Sequence, residues 1–169
     1  MVKGEEGTFV SITVEREGSP VTLSVERRKV LITVATGEML EGNIGYVRIT
    51  NFDSRCAEET IAIIDELLAE GAEALIFDVR NNPGGYASEL VKVVDHLLPE
   101  CEVFRPVDYA GTQDVYYSDE NCIDPIPMAV LVNSESYSAA EFFAAALRDY
   151  EMAVIVGEKT CGKGYFQYT

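Results

Sequence analysis

The sequence predicts an α/β fold: a mainly parallel sheet with flanking helices, preceded by a short β segment. Three observations carry this expectation. From Gly45 onward the texture runs strand, helix, strand, helix, strand, helix, strand, the order that builds a parallel sheet through helical crossovers. The run MAVLVN at 128–133 is almost continuously apolar, as a strand buried on both faces is. The chain has 169 residues, 47% of them apolar, enough to bury one sizeable core with a small appendage.

Each element has its own signal. TFVSITVER at 8–16 and VTLSVER at 21–27 are β-prone, and Glu17-Gly18-Ser19-Pro20 between them reads as a hairpin turn. VLITV at 30–34 is a third β-prone run, and the polar stretch ATGEMLEGNIG reads as a linker or crossing strand. GYVRIT at 45–50 is a strand. A helix at 54–71 follows, with Ile61, Ile64, Leu67 and Leu68 at helical spacing and Gly71 closing it. ALIFDVR at 74–80 is a strand that ends in NNPGG. Residues 86–98 form a second amphipathic helix through Leu90, Val93, Val94 and Leu97. Cys101–Tyr117 holds one or two strands, and a polar loop leads to strand 128–133, helix 136–149 and strand 153–157.

Charge and composition exclude several classes. There are 29 acidic residues against 13 basic ones, a net charge of −16, so a polyanion would be repelled and nucleic acid is not the expected partner. No apolar run approaches the roughly 18–20 residues of a spanning helix. Cys56, Cys101, Cys122 and Cys161 form no CxxC pair and have no histidine at ligand spacing, which argues against zinc. Free thiols are the expectation, although Cys101 and Cys122 flank a turn-rich stretch that a disulfide could bridge. No metal or cofactor is expected.

Reactive groups in parallel sheets gather at the carboxyl ends of strands. Three segments leave strands this way: NNPGG, NSESYSAAE and EKTCGKG. If their strands are neighbours, the three loops meet. Ser138 stands at a helix N-terminus, where free N–H groups and the positive dipole end favour an oxyanion. The same Ser138-Ala139-Ala140-Glu141 run is also a capping box, in which a serine serves only as a cap, and Ser134 and Ser136 compete for the role. The single histidine, His96, sits mid-helix in KVVDHLL, a pattern typical of packing. A lysine can act as base instead where desolvation brings its pKa from about 10.4 to roughly 7–8. Lys163, between Gly162 and Gly164 and beside Cys161, Tyr165 and Phe166, is the candidate, against the plainer reading of an exposed lysine in a glycine turn. Gly84-Gly85 lets a backbone approach a ligand closely, although NNPGG alone is an ordinary loop signal.

Gly157 to Lys163 also spells G-x-x-x-x-G-K, most of a phosphate-binding loop. Gly164 stands where magnesium coordination needs Ser or Thr, and GYFQYT reads as β, which provides no helix N-terminus for phosphates.

Together, IGYVRITNF, LIFDVRNNPGG, VLVNSESYSAAEFFAAAL and VGEKTCGKGYFQ resemble, in order and over most of residues 44–169, the S41 peptidases. These are the C-terminal processing or tail-specific proteases with a ClpP/crotonase-like core. The 25-residue step from Ser138 to Lys163 matches the family's step between nucleophile and base. The resemblance implies Ser138 as nucleophile, Lys163 as general base and Gln167 as the residue orienting the lysine. It implies an oxyanion hole from the backbone N–H groups of Gly85 and Ala139. The implied reaction is peptide hydrolysis through an acyl-enzyme, on protein or peptide substrates, without metal or cofactor. Tyr137 departs from the small residue frequent beside the nucleophile, and Cys161 from a frequent aromatic.

In the same light residues 1–35 resemble the end of a PDZ-like domain and 36–169 a catalytic core that lacks its last strands. The whole then reads as an excised piece whose exposed strand edges would invite homo-oligomerisation. The family's setting implies an extracytoplasmic location, at the cell envelope or secreted. A catalytically inactive, peptide-binding or scaffold relative is the competing reading. The presence of Ser138, Lys163 and Gln167 together argues against it.

Overall fold

The computed structural model describes residues 2–30, 32–107, 109, 111 and 114–165, and the chain divides into two compact units, 1–32 and 33–169. The first is an antiparallel hairpin of β1 (Phe9–Arg16) and β2 (Ser19–Glu26). Glu17 and Gly18 both take positive φ (53° and 76°), the backbone of a two-residue turn whose twist suits a hairpin. The register sets Val10 opposite Val25, Ile12 opposite Leu23 and Val14 opposite Val21. One face of the ribbon is therefore aliphatic, and the other carries pairs such as Thr13–Thr22.

The strand expected at 30–34 does not form. Val30 and Ile32–Val34 are irregular, and Leu31 lies outside the described residues. β-propensity alone makes no strand where no partner edge is offered. The polar stretch that follows supplies one instead: β3 (Ala35–Leu40) pairs antiparallel with β4 (Ile44–Ile49).

The second unit is a five-stranded sheet in the order β3-β4-β5-β8-β9. Its members β5 (Ala74–Asp78), β8 (Met128–Val132) and β9 (Ala153–Gly157) run parallel to β4. β6 (Glu102–Phe104) and β7 (Tyr116–Tyr117) form a small separate ribbon. α1 (Cys56–Ala69) packs on β3 and β4, α3 (Ala139–Asp149) on β8 and β9, and α2 (Ala87–Leu97) touches both helices. The expected mainly parallel α/β architecture is thus present. Gly71, at φ 97°, follows the α1 C-cap Glu70, the left-handed stop that its position in the sequence implies.

Strand alternation explains which face is buried. Val47, Phe77 and Val130 lie side by side in register and are fully buried. The Phe143 ring of α3 meets the Phe77 ring edge-on at 5.3 Å and the Phe52 ring at 5.9 Å. The other face is less covered: Tyr46, Ile76 and Leu131 are half-buried and Val156 is exposed. At its upper edge the buried Asp78 carboxylate accepts hydrogen bonds from the Tyr46 hydroxyl (2.6 Å) and from the Arg80 guanidinium (2.9 and 2.7 Å) and backbone N–H (3.0 Å). Burial pushes the Asp78 pKa up, but the Arg80 and Tyr46 hydrogen bonds outweigh it and bring the value down to about 2.

A carboxylate depressed in the folded state stabilises above its unfolded pKa, and that stability is lost as pH falls through the folded value. Asp78→Ala should therefore cost about 2–3 kcal/mol at neutral pH. In urea unfolding the gap to wild type should close between about pH 4 and pH 2. A gap unchanged over that range would mean that Asp78 contributes through packing and not through charge.

Candidate active site

Because β5, β8 and β9 are neighbours, the segments that leave their carboxyl ends converge. Ser138 is the N-cap of α3, with φ 52° and ψ −113°, a region that L-residues avoid and that costs of order 1–3 kcal/mol. Its half-buried side chain is carried on this strained corner between strand and helix. The two competing serines separate cleanly. Ser134 is exposed. Ser136 is fully buried, its hydroxyl donating to the Val79 carbonyl (2.8 Å) and accepting from the Asn133 N–H (3.1 Å).

Glu141 links the two candidate residues. Its carboxylate accepts the Ser138 N–H at 2.8 Å, the Lys163 N–H at 2.9 Å and the Gly162 N–H at 2.5 Å. Burial raises its pKa, but these N–H donors and the nearby Thr160 hydroxyl outweigh that effect and hold it below the ordinary carboxylate range. The capping-box pattern signalled only the contact to Ser138. The contacts to 162 and 163 come from a segment about twenty residues away in sequence, which no local motif reports. Lys163 is half-buried, its ammonium 5.7 Å from the Tyr165 ring centroid.

The 79–86 loop closes the third side. Gly84 has φ 91° and Gly85 φ 151°, and a Cβ on Gly84 would lie 2.9 Å from the Ser138 Cβ and 3.0 Å from the Ala139 nitrogen. Only glycine permits that approach. The Phe52 N–H donates to the Gly84 carbonyl (2.8 Å), and the Tyr86 N–H to the Phe52 carbonyl (2.7 Å). Asn81 and Asn133 exchange two hydrogen bonds of 2.9 Å and join this loop to the one before Ser138.

Gly85, Ser138, Ala139 and Lys163 all line one cavity of about 820 Å³, whose apolar wall includes Leu90 and Phe142. Of the residues that the sequence singled out, these four are brought together, and Gln167 lies outside the described residues. His96 is elsewhere: its imidazole nitrogen Nε2 is 2.9 Å from Asp65 of α1. All four cysteines are free. Cys56 is buried, which pushes its thiol up to about 12 and leaves it inert at neutral pH. Tyr137, half-buried, and Cys161, exposed, are the two departures from the family pattern, and the proximity of Cys161 raises the Tyr137 pKa. Residues 158–165, after β9, are neither helix nor strand, and the rest of the GYFQYT run expected as β lies outside the described residues. Among the described residues no helix is long and apolar enough to cross a membrane.

Comparison with known proteins gives a consistent result. A profile described as peptidase family S41 matches residues 43–169. The carboxy-terminal processing protease CtpA of Bacillus subtilis is 32% identical over 169 residues, covering 99% of this chain and 36% of that protein. A carboxyl-terminal-processing protease of Synechocystis is 30% identical, covering 98% of this chain and 40% of that protein. The solved photosystem II D1 C-terminal processing protease superposes with a TM-score of 0.74 at 32% identity, over 98% of this chain and 47% of that one. The chain thus spans less than half the length of these relatives.

Glu141→Gln leaves one acceptor oxygen where two served, and turns an NH2 group toward backbone donors. It should destabilise the protein by about 1–3 kcal/mol at neutral pH. Because the folded-state pKa of Glu141 is depressed, this difference should shrink as pH falls through it, and thermal unfolding of both proteins along a pH series measures this.

Proposed function

Given that the chain belongs to peptidase family S41, we propose that it carries the catalytic core of a serine endopeptidase that cleaves protein substrates at or near their C-terminus, with Ser138 as nucleophile and Lys163 as general base. The observation that carries this reading is the Glu141 carboxylate, which holds the backbone of both residues at the rim of one cavity.

The chemistry follows from the groups present. The neutral Lys163 amine takes the Ser138 proton as Oγ attacks the scissile carbonyl carbon. The carbonyl oxygen becomes an oxyanion, received by the N–H groups of Gly85 and Ala139. Neither of these has a hydrogen-bond partner among the described residues, as donors held ready for a transition state require. Lys163 returns its proton to the leaving amine, the C–N bond breaks, and an ester to Ser138 remains. Water, deprotonated by Lys163, then hydrolyses that ester and restores Ser138. Gln167 would hold the lysine side chain on course.

The hairpin unit fits the same scheme as the end of a PDZ-like domain, whose aliphatic face would pack on the remainder of that domain, with the boundary at 32/33 in place of the expected 35/36 because Ala35 opens β3 of the core sheet. The setting is extracytoplasmic, in keeping with relatives such as the Tetradesmus obliquus peptidase, whose name is chloroplastic. Protein or peptide substrates are the partners, and the exposed β9 edge is where a second copy would add.

Cleavage of an unfolded protein such as casein by the native polypeptide carrying this sequence tests the reading. Ser138→Ala and Lys163→Ala should each lower kcat roughly 10³-fold or more. Cleavage that survives both substitutions would assign the chemistry to other residues. A folded wild type that binds peptide without cleaving it would favour a scaffold role.

A further inference from the structure

Asn82 has no place in the mechanism above, yet its side chain is buried and hydrogen-bonded at both ends beside the site. It is fully buried. Its Nδ2 donates to the Ile49 carbonyl at the end of β4 (2.9 Å), and its Oδ1 accepts the Gly84 N–H (2.8 Å). Its own carbonyl accepts the Tyr137 N–H (2.9 Å), one residue before Ser138. One residue thereby ties the exit of β4, the glycine turn and the nucleophile loop together.

The consequence falls on the two peptides that flank Gly84. Asn82 fixes the Gly84 N–H, and the Phe52 N–H fixes the Gly84 carbonyl. The first bond holds the Pro83–Gly84 peptide and the second the Gly84–Gly85 peptide, so neither plane can turn about the Gly84 φ and ψ without breaking one of them. In a trans peptide the N–H points opposite to the C=O, so the Gly85 N–H must point away from Phe52. That donor is unpaired among the described residues, and Gly85 lines the cavity that holds Ser138. Two glycines at positive φ would otherwise be the softest part of this loop. The side chain that does this must donate and accept at once without charge, which an amide does and an ionised carboxylate cannot.

We propose that Asn82 is a positioning residue for the oxyanion hole: it holds the Pro83–Gly84 peptide and, together with the Phe52 bond to the next peptide, pins the Gly84 φ and ψ so that the Gly85 N–H faces the oxygen of the tetrahedral intermediate. This rests on the reading of Ser138 as nucleophile.

The test compares wild type, Ser138→Ala and Asn82→Ala on a peptide substrate, and measures binding of a peptide boronate, which forms a tetrahedral adduct with a nucleophilic serine. Asn82→Ala should lower kcat about 10²-fold, the effect of a donor displaced by about 1 Å, with KM changed less than about threefold. Boronate affinity should fall in parallel with kcat/KM, a link that mere loosening of the fold would not produce. If Ser138→Ala cleaves like wild type, the reading of Ser138 falls and this proposal with it. If Ser138→Ala is inactive while Asn82→Ala keeps kcat within about threefold of wild type, only the role of Asn82 falls. Should Asn82→Ala not fold, amide hydrogen exchange in the wild-type protein decides. The Gly84 N–H should be protected, and the Gly85 N–H should exchange freely until the boronate protects it. A Gly84 amide that exchanges as fast as that of Gly85 in the free protein would overturn the proposal.

Discussion

The Glu141 carboxylate is the constraint on which the rest of the site depends. A helix N-terminus leaves several N–H groups unsatisfied and carries partial positive charge, so an acidic residue in the first turn of α3 is favourable anywhere. Here it does more than cap. One oxygen accepts the Ser138 N–H and the Lys163 N–H, and the other accepts the Gly162 N–H. The segment after β9 has no helix or strand of its own at this point. These hydrogen bonds therefore fix it against α3. Remove the charge, and a glycine-flanked lysine has little left to hold its backbone beside the serine.

The second requirement is that strain at Ser138 and at the glycine turn be over-determined by the surroundings. Phe52 meets that need from two sides. Its ring is buried against Phe143 of α3, while its backbone brackets Gly84 to Tyr86. Phe143 in turn rests on Phe77 of β5. The aromatic core and the loop geometry are therefore coupled: the contacts that seat α3 on the sheet also set how closely Gly84 approaches Ser138. Packing and site geometry are not separable here, so a core substitution at Phe143 would be felt at the cavity.

Much of this was legible in the sequence because it rests on periodicity. The four parallel strands and three helices of the core follow from alternation and 3.6-residue spacing, and the loops that carry Ser138, Lys163 and Gly85 follow from the strand ends. What escaped was set by partners distant in sequence. VLITV has strand propensity but finds no pairing edge, whereas the polar ATGEML becomes β3 because β4 offers it one. Glu141 was visible as a cap residue, but its hold on Gly162 and Lys163 was not. Asn82 was one letter of a loop motif, and only burial and two hydrogen bonds distinguish it from its exposed neighbour Asn81, itself paired with Asn133. Gln167, read from resemblance, lies outside the described residues.

A Ser–Lys arrangement sets one further electrostatic condition. A lysine paired with a carboxylate keeps its proton, because an opposite charge within about 4–6 Å favours the charged form. A glutamate next to the base would therefore defeat the chemistry if its oxygens were free to reach the amine. Both Glu141 oxygens are instead engaged by backbone N–H groups. Those donors stabilise the carboxylate where it stands, and among the described residues Lys163 forms no ion pair. The glutamate binds the lysine's backbone and, among the described residues, makes no ion pair with its side chain. On the proposed reading, this division is what would let an acidic residue three positions beyond Ser138 coexist with a lysine acting as base.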